Sequence, residues 1–251
     1  MSEPSTVHRI HAVPRAGGEA GDYEDAATIQ VDEWPVCAAV ADGATESVFA
    51  RQWAKTLVDI LVDTNATRSE DFAAVVAEGQ RQWQTSIGEM EDERPWYVTA
   101  KAAEGAYATL LGVSVHSDGT WRAVSVGDCC LFHVHGEQVR QTWPLDHPEA
   151  FTNRPALLSS QQGASMPSPR TASGPWTAGD ALLLATDAVA AWLLRRRASG
   201  KSIAEMVQWD SDTFRDCVAA AREQGTLHND DSTLLVLDLP ASPKKNGPSP
   251  E

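Results

Sequence analysis

The sequence predicts an α+β fold built on mainly antiparallel sheets. Strand-like and helix-like segments occur in blocks, whereas parallel sheets require strict βαβ alternation. Two long amphipathic helices are inserted between groups of short strands. Neither a G-x-G-x-x-G motif nor a Walker-type phosphate loop is present, which argues against the common nucleotide-binding folds.

The first half of the chain is predicted to contain a loop, strands and two helices. Residues 1–26 are polar and Gly-rich and are expected to form a loop, and residues 27–41 are expected to form one or two strands. Apolar residues spaced by four predict a helix over 46–63 and a second over 69–90, where Ser69 is a plausible N-cap. Each helix would bury one apolar stripe.

The second half begins with a predicted meander of antiparallel strands over residues 107–142, divided by short turn sequences. The Pro- and Ser-rich stretch 144–176 is expected to be a loop-dominated insertion with one short helix near 155–160. After it we predict a strand over 180–186 and a helix over 188–200 that ends at a glycine. A second helix over 211–225 is expected to be capped by Ser211 and also to end at a glycine, and a final strand covers 232–239.

Composition narrows the class of protein. We expect a single domain over residues 1–239 and a disordered tail over 240–251. The formal charge of −15 argues against nucleic acid or an anionic membrane as the main partner. No apolar run approaches the roughly 18 residues of a membrane span, and the N-terminus lacks a secretory signal. We therefore expect a cytoplasmic location, with the four cysteines as reduced thiols.

Acidic residues lie where apolar strands begin or end. Asp42, Asp128 and Asp187 stand at the exits of apolar runs, and Asp230 shortly precedes one. If these strands are neighbours, several carboxylates meet at one edge and repel one another strongly in a low dielectric. Hard divalent cations such as Mg²⁺ or Mn²⁺ would neutralise them. Any one of these aspartates alone is more often a turn residue, so the prediction depends on the whole set.

Five short motifs occur in a fixed order over most of the chain. They are Glu24-Asp25, Asp42-Gly43, Gly127-Asp128-Cys129, Thr186-Asp187-Ala188 and Asp230-Asp231-Ser232-Thr233. Their types and order resemble those of the metal-dependent serine/threonine phosphatases of the protein phosphatase 2C type, the PPM family. The stretch FTNRPALLSS at 151–160 is similar to a bacterial branch of that family.

This resemblance implies a four-layer α-β-β-α sandwich, with two antiparallel sheets flanked by helices and a dinuclear site for Mn²⁺ or Mg²⁺ at one edge. It implies that Asp42 bridges the two ions. Glu24 and the backbone carbonyl of Gly43 would bind one ion, and Asp187 and Asp230 would bind the other.

The resemblance also implies the chemistry. Two close cations lower the pKa of a water from about 16 towards roughly 7. A metal-bound water would then be the nucleophile, and no protein side chain would attack phosphorus. Asp25 would contact metal-bound waters and not the ions themselves, and Asp128 together with Asp187 would face a third ion. The implied activity is hydrolysis of phosphoserine and phosphothreonine in proteins, opposite a protein kinase.

Two departures from the family pattern affect substrate and metal binding. Ala20 stands where many members have an arginine that binds the substrate phosphate. Arg15, in the same loop, is a possible replacement or a solvated arginine. Ala191 stands where many members have a further acidic residue for the third ion, which is therefore expected to be weak or absent.

Other positions leave alternatives open. Ala188 replaces the glycine of the fourth motif, and Ala44 stands where some members have a histidine that acts as a general acid. His228 is a possible replacement for that histidine, or a loop residue without a role. Asn153 and Arg154 could belong to a flap that contacts substrate, or could pack locally on the sheet.

The sequence thus predicts a metal-dependent protein serine/threonine phosphatase. The alternative is a catalytically weak, phosphatase-like binding or regulatory protein in a kinase–phosphatase signalling system. Ala20 and Ala191 favour that alternative, whereas the complete set of core metal ligands favours the enzyme.

Overall fold

The structure is a computed structural model that describes residues 6–18, 22–44, 49–90, 104–152 and 154–239, with only the backbone given for 87–90. The tail predicted over 240–251 lies outside these residues. No helix within the described ranges is both long and apolar enough to cross a bilayer. All four cysteines are free thiols, as expected from the sequence.

Two five-stranded antiparallel sheets form the centre of the described fold. The first sheet has the strand order β1-β12-β11-β7-β8, the second has the order β10-β6-β5-β3-β2, and β4 pairs separately with β9. The strands are β1 (Val7–Val13), β2 (Ala26–Gln30), β3 (Val36–Ala41), β4 (Tyr107–Ala108), β5 (Leu110–Val115), β6 (Thr120–Val126), β7 (Cys130–His135), β8 (Gln138–Trp143), β9 (Leu158–Ser159), β10 (Arg170–Pro175), β11 (Asp180–Ala185) and β12 (Ser232–Leu239).

Helices cover the outer face of each sheet. They are α1 (Ala50–Thr64), α2 (Ser69–Met90), α3 (Asp187–Ala198) and α4 (Ser211–Glu223), with short 3₁₀ turns at Pro148–Ala150 and Ala204–Gln208. One apolar core joins α1 and α2 to the second sheet, and another joins α3 and α4 to the first sheet. A third core fills the space between the sheets. The predicted four-layer α-β-β-α sandwich is therefore confirmed.

The continuous apolar strands of the sequence are explained by this layering. Every residue of β11 is buried, and successive side chains of a strand point to opposite faces. Leu182 and Leu184 pack between the sheets, and Leu183 packs against the helices. A strand buried on both faces reads as an uninterrupted apolar run, and a carboxylate can follow only where the strand leaves the core.

Strand register brings the acidic motifs together where the strands begin or end, and we call this place the carboxylate edge. Ala185, near the end of β11, pairs with Cys130 of β7 and with Leu234 of β12. The residues after β11 therefore lie beside those before β7 and β12, which are the positions of Asp187, Asp128 and Asp230. In the second sheet, Ala41 pairs with Ala26, so the chain just after β3 lies beside the chain just before β2.

Four local predictions were wrong, among them Ser69 as the N-cap of α2, because Ser69 is the first residue of that helix. The helix expected near 155–160 is instead extended and contains β9, which pairs with β4. Strands β1 and β10 were missed because both are edge strands with several exposed residues, so their sequences lack a continuous apolar run. The cap of α4 is Asp210, one residue before the expected Ser211, and its carboxylate accepts the N–H of Thr213 at 2.8 Å.

Candidate metal centre

At this edge, burial and four aspartates together raise the pKa of a fifth, Asp42. Burial is the largest cause that raises the pKa of Asp42 well above its ordinary value, and the negative charges of four neighbours add to it. These neighbours are Asp25, Asp187, Asp128 and Asp230. The structure therefore brings together five of the sequence-predicted site residues, which come from five separate motifs.

Asp25, Asp128 and Asp187 also have raised pKa values. Burial raises the pKa of Asp25 to about 8, although hydrogen bonds from two threonine hydroxyls lower it. Burial and the charge of Asp187 raise the pKa of Asp128 to about 7. Burial and the charge of Asp230 raise the pKa of Asp187. Several acidic groups with perturbed pKa values in one place indicate a functional site.

Gly43 lies at a point where three backbone segments meet. A Cβ atom there would be 2.8 Å from the carbonyl oxygen of Glu24 and 2.9 Å from Ala50, so any larger residue would force the chain apart. On the β4 side, Thr109 N–H donates to Asp42 O and Ala44 N–H donates to Tyr107 O, both at 2.9 Å. These bonds flank Gly43 and leave its own carbonyl outside the ladder with β4.

Asp25 is held by two threonine hydroxyl groups that lie opposite each other at one end of the β11–β12 pair. Its Oδ2 accepts the hydroxyl of Thr186 at 2.9 Å and that of Thr233 at 2.7 Å. Thr233 N–H donates to the Thr186 hydroxyl at 3.1 Å, which closes the network. Sequence reasoning assigned no role to either threonine, although both belong to the quoted motifs. Asp25 is thus fixed beside Asp42 by side chains that approach it from the first sheet.

Asp128 follows a tight backbone turn. Gly127 has a φ of +103°, and a Cβ there would be 2.5 Å from the side chain of Thr109, so glycine is required. The Oδ1 atom of Asp128 is buried and has no hydrogen-bond partner among the described residues. Asp128 also lines a cleft of about 260 Å³ together with Arg154 and Arg170.

The arginine and histidine candidates lie at different distances from the carboxylates. Nη1 of Arg15 is 3.6 Å from Oε2 of Glu24, so this guanidinium reaches the edge. Arg154 is exposed at the mouth of the cleft. His228 is largely exposed, with Nδ1 3.9 Å from Oδ2 of Asp230. Ala191 is buried. Asn153 and Ala20 lie outside the described residues.

Asp231 was missed by sequence reasoning, which assigned a role only to its neighbour Asp230. Its side chain is turned towards the N-terminal loop and accepts the backbone N–H groups of Arg15 at 2.9 Å and Glu24 at 2.6 Å. The only available signal was its place in the last motif.

The donor set suits a hard divalent cation in type and in burial. It consists of oxygen atoms, mainly carboxylate, which Mg²⁺ and Mn²⁺ prefer. A cation would favour the charged forms that burial and mutual repulsion disfavour. Within the described part of the chain, no three acidic, His or Cys side chains already converge closely enough to enclose an ion.

Comparison with known proteins adds independent information. A family model described as Protein phosphatase 2C matches residues 22–223. No curated protein sequence matches the chain significantly.

Solved structures of several phosphatases share the fold. Serine/threonine phosphatase Stp1 from Staphylococcus aureus is 15% identical over 95% of this chain and 97% of that one, with a TM-score of 0.65. The catalytic domain of the serine/threonine protein phosphatase PstP, in complex with 2 manganese ions, is 16% identical over 93% and 97%, with a TM-score of 0.61. RsbX in complex with magnesium is 16% identical over 93% and 95%, with a TM-score of 0.55. At such low identity, these likenesses show the fold alone.

The family model covers most of the chain, from just before Glu24 to the end of α4. It includes the first four acidic motifs, and the fifth begins shortly after it. The chain therefore belongs to the protein phosphatase 2C family, the metal-dependent protein serine/threonine phosphatases.

Proposed function

We propose that the phosphatase activity of the family resides, in this chain, at the shared edge of the two sheets. The observation that carries the proposal is the raised pKa of Asp42, which burial and four neighbouring aspartates produce together. A buried group in such surroundings destabilises the fold unless a cation offsets it. Mn²⁺ and Mg²⁺ are the ions we propose, and related folds have been solved with manganese and with magnesium.

We assign the ligands residue by residue. Asp42 would bridge two ions, Glu24 and the carbonyl of Gly43 would serve one, and Asp187 and Asp230 would serve the other. The carbonyl of Gly43 is a suitable donor because the neighbouring bonds to β4 do not use it. When bound, the two ions supply a water activated for in-line attack on phosphorus and offset the charge of the phosphoryl oxygens.

The chain's own residues then orient the reactants. Asp25, fixed by two threonine hydroxyls, would accept hydrogen bonds from waters at the site. Arg15 would bind the substrate phosphate, because its guanidinium lies beside Glu24. Arg154 and Asn153 remain candidates for contacts with the peptide around the phosphorylated residue. Asp128 would serve a third ion, which Ala191 leaves weak or absent.

A phosphorylated protein is the substrate that fits the family. An opposing kinase in the same compartment, a cytoplasmic location and a single domain over 1–239 complete the proposal. The strongly acidic chain makes nucleic acid and anionic membranes poor partners. The alternative, a phosphatase-like binding protein without turnover, finds no support in the comparisons.

The test is hydrolysis of p-nitrophenyl phosphate and of a phosphothreonine peptide with Mn²⁺, Mg²⁺ or EDTA. We expect turnover with either metal and none with EDTA. Asp42→Asn should lower kcat at least about 100-fold, while Asp63→Asn, the same change at an exposed position of α1, should leave it unchanged. Absence of metal-dependent turnover in the wild type would favour the binding-protein alternative.

A further inference from the structure

The N-terminal loop that carries Arg15 is held by side chains from the far end of the chain. The side-chain Oδ1 of Asn229 accepts the N–H of Ala16 at 2.7 Å, and its Nδ2 donates to the carbonyl of Ala16 at 3.2 Å. Nη1 of Arg222, on α4, donates to the carbonyl of Pro14 at 2.8 Å. Three consecutive residues of the loop are therefore fixed, because Asp231 holds the one between them.

Asp231 joins this loop to the metal-ligand motif. One carboxylate oxygen accepts the N–H of Arg15 at 2.9 Å, and the other accepts the N–H of Glu24 at 2.6 Å. Asp231 is only 4% exposed, so these bonds are shielded from water. A single side chain thus sets the distance between the backbone of Arg15 and the backbone of a proposed metal ligand.

Arg222 completes the connection from the other side. Besides its bond to Pro14, Nη2 donates to the carbonyl of Asp230 at 2.6 Å and to the hydroxyl of Ser232 at 3.0 Å. One rigid, planar guanidinium therefore contacts both the Arg15 loop and the Asp230 turn. We call Arg222, Asn229 and Asp231 the clamp.

The loop also directs the side chain of Arg15. Gly18 N–H donates to the carbonyl of Arg15 at 3.2 Å, which closes a tight turn, and Gly17 in it has a φ of +84°. A Cβ on Gly18 would lie 3.1 Å from Cγ of Arg15, so the stem of that side chain crosses the glycine. The guanidinium then reaches the oxygen of Glu24.

We propose that the clamp positions Arg15 to bind the substrate phosphate, in compensation for Ala20. This inference rests on the proposed function. A flexible arginine loses conformational freedom when it binds phosphate, and ordering its loop beforehand lowers that cost. The clamp residues act through Arg15 and do not touch the reacting atoms, so their removal should weaken phosphate binding and spare the chemical step.

The first test is Asn229→Ala, because Asn229 is exposed and, among the described residues, its side chain bonds only to Ala16. We expect KM for a phosphothreonine peptide and Ki for inorganic phosphate to rise about threefold to tenfold. The kcat, Tm and Mn²⁺ affinity by calorimetry should not change. Asn229→Asp keeps the acceptor for Ala16 N–H and should have a smaller effect. Gln224→Ala, at an exposed position near the end of α4, is the matched control and should change nothing.

The deciding experiment is a double-mutant cycle with Arg15→Ala. That variant alone should raise KM about tenfold to a hundredfold, as loss of a charge-assisted phosphate contact would. In the Arg15→Ala background, Asn229→Ala should have no further effect on KM.

Two results would overturn the inference while leaving the proposed function intact. One is an active wild type whose KM and Ki do not respond to Arg15→Ala. The other is an effect of Asn229→Ala that adds fully to that of Arg15→Ala. A wild type without metal-dependent turnover would overturn the proposed function and, with it, this inference.

Discussion

Strand β11 has a buried aspartate at its start and a half-buried one two residues after its end, and their surroundings are opposite. Asp180, at the start, is fully buried and accepts hydrogen bonds from His133 at 3.0 Å, His135 at 2.6 Å and Arg140 at 3.0 Å. The N–H of Thr177 adds a fourth at 2.8 Å. Asp187, after the end, has another aspartate, Asp230, as its main charged neighbour.

The pKa shifts express this difference. Burial acts to raise the pKa of Asp180, but the hydrogen bonds of Thr177, His133 and His135 outweigh it, and the pKa is lowered. Burial and the charge of Asp230 raise the pKa of Asp187. A buried carboxylate surrounded by donors stabilises a fold, whereas one surrounded by carboxylates lowers stability. The second arrangement therefore indicates a ligand-binding role, in agreement with the metal site proposed at this edge.

The most direct test of this difference between Asp180 and Asp187 is the same substitution at each of the two positions. Asp187→Asn should lower kcat at least about 100-fold, because a neutral amide is a poor ligand for a hard cation. Its Tm in EDTA should equal or exceed that of the wild type, since one repelling charge is gone. Steady-state kinetics and thermal melts check both. An active Asp187→Asn variant would remove this residue from the site.

Asp180→Asn should do the reverse. Loss of the charge that pairs with His133 and Arg140 should cost about 3 kcal/mol of folding free energy, a fall in Tm of roughly 6–12 °C for a chain of this size. With saturating metal, kcat should stay the same. An Asp180→Asn variant with wild-type stability would show that its donors contribute little.

The difference in folding stability between the wild type and Asp180→Asn should depend on pH in a defined direction. Asp180 has a lowered pKa in the folded state, so its contribution is present above the unfolded pKa of about 3.9 and is lost as pH falls through the folded value. The stability gap between wild type and Asp180→Asn should therefore narrow below about pH 4. Urea titrations from pH 3 to pH 6 measure it, and a gap that is constant with pH would contradict the sign.

The smallest effect is expected at Asp128. We propose that it serves only a third ion, for which Ala191 leaves another expected ligand missing, so Asp128→Ala should lower kcat a few-fold at most. Ala191→Asp should lower the Mn²⁺ concentration needed for half-maximal rate. Metal-titrated rates of the wild type and both variants test this. If Asp128→Ala is folded yet as inactive as Asp187→Asn, the third position is required and Ala191 is not the missing ligand.

The meeting of the acidic residues at one edge could be predicted from the sequence, because strands buried on both faces give continuous apolar runs and the acidic residues lie close to the strand ends. Helix α2 was predicted over its observed bounds for a related reason, since its apolar period is a local signal. The residues missed are those whose partners are distant in sequence. Asp231 binds backbone groups more than 200 residues away, and no local pattern reports such a contact.

The networks around Asp180 and Asp25 escaped prediction for the same reason. Their donors come from different strands, and only strand register brings them together. In sequence, Asp180 resembles an ordinary turn residue before a strand, so its burial and four donors could not be expected. The sequence thus located the carboxylates, whereas the structure showed which of them are surrounded by hydrogen-bond donors and which lie beside other carboxylates.

The central claim is that the carboxylate edge binds two divalent cations through Asp42. Calorimetric titration of Mn²⁺ into the metal-free chain tests it without reference to activity. We predict two ions bound per wild-type chain, and loss of that binding in Asp42→Asn with the fold intact by circular dichroism. A wild-type chain that binds no Mn²⁺, or an Asp42→Asn variant that binds it as the wild type does, would contradict the account.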